Sequence, residues 1–123
     1  MYTIRIEDSF SSAHFLAAYN GKCENLHGHN YHIRAYAKGR ELDKSGILVD
    51  FSIFKKALKE ILDPIDHVNL NDLPAFSDNN PSAEKIAKYI FEKLTEKLPS
   101  VSISKVEVFE TEKNMACYRP LRD

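Results

Sequence analysis

The sequence predicts an α+β fold in which a four-stranded antiparallel sheet carries two helices on one face. Apolar residues alternate with polar ones over two early stretches, follow a helical period in the middle, and alternate again near the end. This order, ββααββ, is typical of an α+β domain. With 123 residues and neither a repeat nor a linker, the chain is expected to form a single domain over residues 1–123.

Two strands are predicted in the first third of the chain. Residues 2–14 form the first, with apolar side chains at the even positions Tyr2, Ile4, Ile6 and Phe10. The second is expected from about His29 to Gly39, with Tyr31, Ile33, Ala35 and Ala37 on one side. Because successive side chains point to opposite faces, His27 and His29 share the apolar side and His32 does not.

Helical spacing predicts two helices in the middle of the chain. The first is capped by Asp50 and runs to about Leu62, with an apolar stripe formed by Phe51, Phe54, Leu58 and Ile61. The second is expected to have Asn80 as its N-cap and Pro81 as its first residue, with an inward face of Ala83, Ile86, Ala87, Ile90, Phe91 and Leu94. Residues 63–81 read as a long loop without regular secondary structure, a feature that is often functional.

The last two strands are predicted around Val106 and Val108 and around residues 115–118. Glu110 continues the apolar parity of the first of these strands, where a carboxylate is unexpected. It either meets a cation, or binds a ligand with donors, or follows the end of the strand and is solvated.

Residues near the start of the second strand suggest a metal site. The side chains of His27 and His29 lie on one side of a strand and can reach one ion, and the thiol of Cys23 lies within a turn of them. Zinc is the natural candidate, since three protein ligands and one open position make a catalytic site. Antiparallel pairing of the first two strands would bring His14 to the same patch. The alternatives are a pair of surface histidines beside a buried cysteine, and a core histidine at His14 bonded to a carbonyl.

Composition argues against several classes of partner. The formal net charge of -1 gives no basic surface for nucleic acid or anionic lipid, and no apolar run is long enough to cross a bilayer. No segment resembling a signal peptide precedes the first strand, so we expect the cytoplasm. Cys23 and Cys117 are then expected to be free thiols.

Six short motifs occur in a fixed order: Ser12-Ala13-His14, Cys23-x-x-x-His27-Gly28-His29-Asn30-Tyr31, Val49-Asp50-Phe51, Asp66-His67-x-Asn69-Leu70-Asn71, Asn80-Pro81-Ser82-Ala83-Glu84 and Glu110-Thr111. In these motifs the chain resembles the 6-pyruvoyltetrahydropterin synthase family essentially from end to end. Within that family it is most similar to the 6-carboxytetrahydropterin synthases of queuosine biosynthesis.

The resemblance implies a zinc ion, Zn2+, held by His14, His27 and His29, and a substrate, 7,8-dihydroneopterin triphosphate. It implies a set of catalytic residues (Cys23, Asp66 and His67) and a pterin site at Glu110 and Thr111. It also implies the T-fold and a homo-oligomer, usually a trimer or a pair of trimers, with active sites between subunits. Lys22, Lys113 and Arg119 are possible contacts for the triphosphate.

The sequence also bears on which pterin product the enzyme is expected to form. The three-residue gap between Cys23 and His27 resembles the enzymes that form 6-carboxy-5,6,7,8-tetrahydropterin with loss of acetaldehyde and triphosphate. A synthase that forms 6-pyruvoyltetrahydropterin is an alternative. Because Glu24 adjoins Cys23, a bifunctional enzyme that also cleaves dihydroneopterin to 6-hydroxymethyldihydropterin for folate is another. Two further alternatives are a non-catalytic module that binds pterin or zinc, and a structural zinc site closed by Cys23.

Overall fold

The computed structural model describes residues 1–16, 25–77 and 80–121. Within these residues the longer elements follow one another as β1 (Tyr2–His14), β2 (His27–Gly39), α1 (Phe51–Leu62), α2 (Ala83–Lys97), β3 (Ser102–Phe109) and β4 (Met115–Tyr118). The strands form one antiparallel sheet in the order β1-β2-β3-β4. The predicted α+β class and the order ββααββ are confirmed.

The first two strands pair along their whole length. Their register runs from Tyr2 opposite Gly39 to His14 opposite His27, with no interruption. β2 therefore begins two residues earlier than predicted, at His27. Directly opposed residues of an antiparallel pair share a face, so the register places the side chains of His14 and His27 on the same side.

The core lies between one face of the sheet and the two helices. The odd positions of β2 from Tyr31 to Ala37 are buried there, together with side chains that recur at helical spacing, namely Phe54, Leu58, Ile61, Ile86, Ile90 and Leu94. Burying one such side chain is worth about 1.5–3 kcal/mol. Two predicted core residues differ. Phe51 is 54% exposed because it is the first residue of α1, and Phe91 is only half-buried because it flanks the core against the Tyr118 ring, 5.1 Å away.

The structure corrects the predicted start of α2. The N-cap is Ser82, whose hydroxyl accepts a hydrogen bond from the Lys85 amide at 3.2 Å, and the first helical residue is Ala83. Asn80 and Pro81 therefore precede the helix. The carbonyl of Pro81 instead accepts a hydrogen bond from the ring of His14. The predicted cap of α1 is confirmed, since the Asp50 carboxylate accepts from the Ser52 amide at 2.8 Å.

The connection between the helices is more ordered than predicted. Residues 63–77 contain three 3-10 helices: Asp63–Ile65, Leu70–Asp72 and Pro74–Phe76. Elements of three residues give no detectable hydrophobic period, so the sequence pattern could not reveal them. Among the described residues, neither helix is long and apolar enough to cross a bilayer.

Candidate active site

Three histidines converge at the end of the paired strands β1 and β2. His14 and His27 are cross-strand partners, and His29 follows His27 at the next position on the same face. One nitrogen from each ring lies within 4.8 Å of the others, and the ring centroids are 4.7 to 5.1 Å apart. The continuous register therefore produces a cluster whose three imidazoles can contact a single ion.

Two of these rings are held by backbone carbonyls. The Nδ1 atom of His14 lies 2.7 Å from the carbonyl oxygen of Pro81, and the Nδ1 atom of His27 lies 2.9 Å from that of Asn25. A carbonyl only accepts, so each Nδ1 donates its N–H, and in a neutral ring Nε2 then carries the lone pair that can bind a metal. Metal-binding histidines are oriented in this way. For His14 the two alternatives hold together: it is a core histidine, 2% exposed and bonded to a carbonyl, and it belongs to the cluster.

The donor set fits a divalent transition metal. Neutral imidazole binds zinc, copper, iron and nickel, so three imidazoles do not by themselves identify the metal. His27 is exposed and His29 is partly exposed, so a small molecule can reach the cluster.

Glu110 is the first residue after β3, and its carboxylate adjoins the cluster. Its Oε2 atom lies 3.6 Å from Nε2 of His14 and 3.8 Å from Nε2 of His29, and the side chain is 27% exposed. β3 has therefore ended before Glu110, as one of the predicted alternatives held. The carboxylate nevertheless lies beside two imidazoles. The next residue, Thr111, shapes the turn: its hydroxyl accepts hydrogen bonds from the amides of Lys113 and Asn114 at 3.2 and 3.1 Å.

A second part of the site is attached to the outer edge of β1. The carboxylate of Asp66 accepts a hydrogen bond from the Ser11 amide at 2.9 Å. The buried hydroxyl of Ser12 donates to the carbonyl of Ile65 and accepts from the amide of Val68 at 3.2 Å. These bonds fasten residues 65–68 to the strand that also carries His14.

His67 projects from this fastened segment. Its Nδ1 atom lies 2.9 Å from Oδ1 of Asp66, and its side chain is 80% exposed. Its φ of 57° lies in the left-handed region, which few residues other than glycine adopt and which often occurs at functional sites. The hydrogen bond from the Ser11 amide, assisted by the neighbouring His67, lowers the pKa of the Asp66 carboxyl, which keeps it ionised as a partner for the imidazole.

Two adjoining cavities share His29. One has a volume of about 520 Å³ and extends to His67; its lining includes Ser11, Ser12, Gly28, Asn30 and Asn69. The other has a volume of about 590 Å³ and extends to Glu110; its lining includes His32, Arg34, Phe109, Thr111 and Glu112. Both volumes suit a small organic ligand. The two cavities therefore meet at the stretch of β2 that carries His29.

Tyr31 is a site residue that the sequence analysis missed. Its ring is fully buried, with centroids 5.9 Å from His14 and 5.5 Å from His29. Its hydroxyl is the one buried side-chain polar atom without a hydrogen bond among the described residues. Burial, and secondarily the charge of Glu110, raise the pKa of this hydroxyl. The signal was available, since Tyr31 continues the parity of His27 and His29.

The remaining predicted residues that the structure describes do not belong to the histidine cluster. His32 lies on the opposite face, as parity predicts, and contacts the carboxylate of Glu7. Lys113 and Arg119 are exposed and are absent from the described linings of these two cavities. Lys22, Cys23 and Glu24 fall outside the described residues.

Comparison with known proteins decides the family. A model of the family described as 6-pyruvoyl tetrahydropterin synthase matches residues 3–121. The chain belongs to this family. It is 33% identical to the 6-pyruvoyl tetrahydrobiopterin synthase of Poecilia reticulata, over 96% of this chain and 89% of that protein. It is 37% identical to the 6-carboxy-5,6,7,8-tetrahydropterin synthase of Synechocystis sp., over 96% of this chain and 93% of that protein.

The solved structures support the same membership. The 6-pyruvoyl tetrahydropterin synthase of Caenorhabditis elegans superposes with a TM-score of 0.85 at 34% identity, covering 97% of this chain and 95% of that chain. The predicted T-fold is thereby confirmed. Because relatives named for two different products are about equally similar, membership of the 6-pyruvoyl tetrahydropterin synthase family defines a pterin synthase without defining its product.

Proposed function

We propose that the protein is a zinc-dependent lyase that converts 7,8-dihydroneopterin triphosphate to 6-carboxy-5,6,7,8-tetrahydropterin, acetaldehyde and triphosphate, a step in 7-deazaguanine and queuosine biosynthesis. The observation that carries the proposal is the cluster of His14, His27 and His29, whose donor nitrogens lie within 4.8 Å of one another. Family membership supplies the substrate class, and the three-residue gap between Cys23 and His27 favours the carboxy product.

The three histidines would hold zinc, with the carbonyls of Pro81 and Asn25 fixing two of the rings. A bound zinc ion supplies Lewis acidity toward the side-chain hydroxyls of the substrate, which makes the neighbouring C–H bonds more acidic. The buried ring of Tyr31 packs against His14 and His29 and excludes water from that side of the cluster.

Two residues are proposed for proton transfer. Cys23 would act as the base, since a nearby cation lowers the pKa of a thiol toward neutrality. His67 would carry protons at its Nε2 atom, because its Nδ1 is already paired with the ionised carboxylate of Asp66. The exposure of His67 leaves that second nitrogen accessible from the cavity it lines.

Glu110 is proposed as the pterin anchor. A carboxylate accepts two parallel N–H bonds, which matches the 2-amino and N3 positions of a pterin ring. Its carboxylate oxygen is 3.6 Å from Nε2 of His14, so a ring held there lies beside the histidine cluster. Thr111 would donate a hydrogen bond from its hydroxyl to the pterin, because the hydroxyl oxygen already accepts hydrogen bonds from two backbone amides.

We further propose a homo-oligomer, a trimer or hexamer, in the cytoplasm. The family resemblance carried by the six motifs implies active sites between subunits. In addition, β1 and β4 form the two edges of the described sheet, where strands of another copy can pair. A reducing compartment would keep Cys23 a free thiol. The net charge of -1 gives no reason to expect nucleic acid or membrane partners.

The test is to incubate the purified protein with zinc and 7,8-dihydroneopterin triphosphate and to identify the products by mass. We expect 6-carboxy-5,6,7,8-tetrahydropterin and acetaldehyde from the wild type, and neither from Cys23→Ala. A 6-pyruvoyl product would overturn the assigned reaction. Parallel incubation with dihydroneopterin tests the bifunctional alternative, in which Glu24→Gln should abolish the hydroxymethyl product. Zinc binding without turnover of either compound would favour a non-catalytic module.

A further inference from the structure

The hydroxyl of Tyr31 is a buried donor that the proposed function leaves unused. The side chain is fully buried, and within the described part of the chain its oxygen is the one buried side-chain polar atom without a hydrogen bond. An unpaired buried donor destabilises the folded protein, whereas phenylalanine would fill the same space without that penalty. An unpaired polar group of this kind needs an explanation, and a catalytic or binding role is one.

The register of the sheet places Glu110 beside Tyr31. β2 pairs with β3 as far as His32 opposite Phe109, and Tyr31 and Glu110 are the next residues along the two chains in that direction. The backbone of Glu110 is held there, because its amide donates to the carbonyl of Asn114 at 3.1 Å. The tyrosine and the carboxylate are therefore neighbours across the two strands.

The same two strands carry a hydrogen bond between a tyrosine and a glutamate on the other face of the sheet. The hydroxyl of Tyr36 donates to Oε1 of Glu107 at 2.6 Å. Because Glu107 lies opposite Arg34 in the register, Tyr36 and Glu107 are only diagonal neighbours. Directly opposed residues are closer than diagonal ones, so the pair formed by Tyr31 and Glu110 is within reach of the same bond.

The two side chains also complement each other chemically. Oε2 of Glu110 lies 3.6 Å from Nε2 of His14 and 3.8 Å from Nε2 of His29, and both distances exceed the length of a hydrogen bond. The Tyr31 ring adjoins the same two imidazoles. Burial, and secondarily the charge of Glu110, raise the pKa of the Tyr31 hydroxyl, so it keeps its proton. An unpaired donor thus lies next to a carboxylate that can accept.

We propose that Tyr31 is a positioning residue for Glu110: in the pterin complex its hydroxyl donates a hydrogen bond to the Glu110 carboxylate and directs that carboxylate toward the N–H groups of the ring. This inference rests on the proposed function, in which Glu110 is the pterin anchor. The two carboxylate oxygens offer about four lone-pair sites, so they can accept the tyrosine hydroxyl and two pterin N–H groups together. The hydroxyl is therefore unpaired in the free protein and paired in the complex.

The first experiment measures urea unfolding of the full-length protein without pterin, at equal zinc content. Tyr31→Phe should have an unfolding midpoint equal to or above that of the wild type, because it removes an unpaired buried group. The matched control is Tyr36→Phe, whose midpoint should fall because it loses the bond to Glu107. A lower midpoint in Tyr31→Phe would show that the hydroxyl is already bonded in the free protein and would overturn the proposal.

The second experiment measures the affinity for unsubstituted pterin by fluorescence quenching. Tyr31→Phe should weaken binding by about 10-fold, the size expected for one hydrogen bond to a charged group, and Tyr36→Phe should bind as the wild type does. Unchanged affinity in Tyr31→Phe would overturn the proposal.

Removing the acceptor tests the link between the two residues. In a Glu110→Ala background, Tyr31→Phe should cause less than about a 2-fold further loss, because the effects of coupled residues are not additive. A further loss as large as that in the wild-type background would give the hydroxyl another partner and reject the link. The same variant separates the two levels. If Glu110→Ala alone binds pterin normally, the anchor in the proposed function also fails, whereas weak binding there with normal binding in Tyr31→Phe rejects the role of Tyr31 alone.

Discussion

The two histidine-bearing parts of the site are built in different ways. His14 is 2% exposed, and both its backbone and its ring are fixed, by strand pairing and by the carbonyl of Pro81. His67 is 80% exposed and is held through the hydrogen bonds of the segment that carries it. Metal ligands need a fixed separation, whereas a proton-transfer group needs access to its substrate. In the proposed function, the sheet supplies the first requirement at His14 and the fastened loop supplies the second at His67.

The largest effect is expected from removing the buried histidine. His14→Ala eliminates one of three imidazoles, so zinc affinity should fall by about 100-fold or more and turnover should fall with it. Zinc content after gel filtration, measured by mass spectrometry, checks this. The control is His32→Ala on the opposite face of the sheet, which should keep its zinc. Full zinc content in His14→Ala would show that the sheet part of the site, contrary to the proposal, does not hold the metal through His14.

Removing the exposed histidine should affect turnover and spare the metal. His67→Ala is expected to lower kcat by about 10²–10⁴-fold, the usual contribution of a general acid or base, at unchanged zinc content. Since His67 has a φ of 57°, the matched variant is His67→Asn, because asparagine tolerates this conformation. It should lose the same activity while keeping the backbone. Normal kcat in His67→Asn would show that the imidazole has no part in proton transfer.

A moderate effect on stability is expected at the junction of the two parts. Ser12 lies opposite His29 in the register, and its buried hydroxyl bonds both Ile65 and Val68. Ser12→Ala leaves those backbone groups without partners and should cost about 1–3 kcal/mol in urea unfolding. The control is Ser9→Ala at an exposed position of the same strand, where the free energy of unfolding should change by less than about 0.5 kcal/mol. Faster hydrogen exchange at the Val68 amide would locate the loss in the fastened segment, whereas equal costs at Ser9 and Ser12 would contradict this role.

The smallest effect is a dependence of stability on pH at Asp66. Its hydrogen bond from Ser11 lowers the pKa of the folded carboxyl below the ordinary value of 3.8. The resulting stabilisation is therefore present above pH 3.8 and disappears as the pH falls through the lowered folded value. The difference in unfolding midpoint between wild type and Asp66→Asn should shrink over that acid range. Carboxyl chemical shifts of the wild type provide the direct check, and titration at or above the ordinary value would refute the expected direction.

The sheet-borne half of the site could be predicted from the sequence because its information is local. Alternation alone separated His27 and His29 from His32, and antiparallel pairing of neighbouring strands brought His14 to them. The parity of Glu110 marked that residue as unusual. Its contact with two imidazoles depends on where β3 ends relative to β2, and no local pattern encodes that.

The loop-borne half was predicted less well, because its structure depends on contacts between distant residues. Asp66 and His67 were recognised through a resemblance, but their attachment to Ser11 and Ser12 joins residues more than fifty positions apart. The start of α2 is a similar case. Asn80 and Ser82 are comparable caps, and the structure places the cap at Ser82, leaving the Pro81 carbonyl to His14.

The fastened segment also limits how other chains can associate with the sheet. Backbone groups on the outer side of β1 are already used at Ser11 and Ala13, by His67 and Val68. A strand from another copy that adds to this margin can therefore extend only along Tyr2 to Phe10. The loop therefore limits the length of any intermolecular strand pairing along this edge. A deletion in the loop would be expected to lengthen that pairing and to make it less selective.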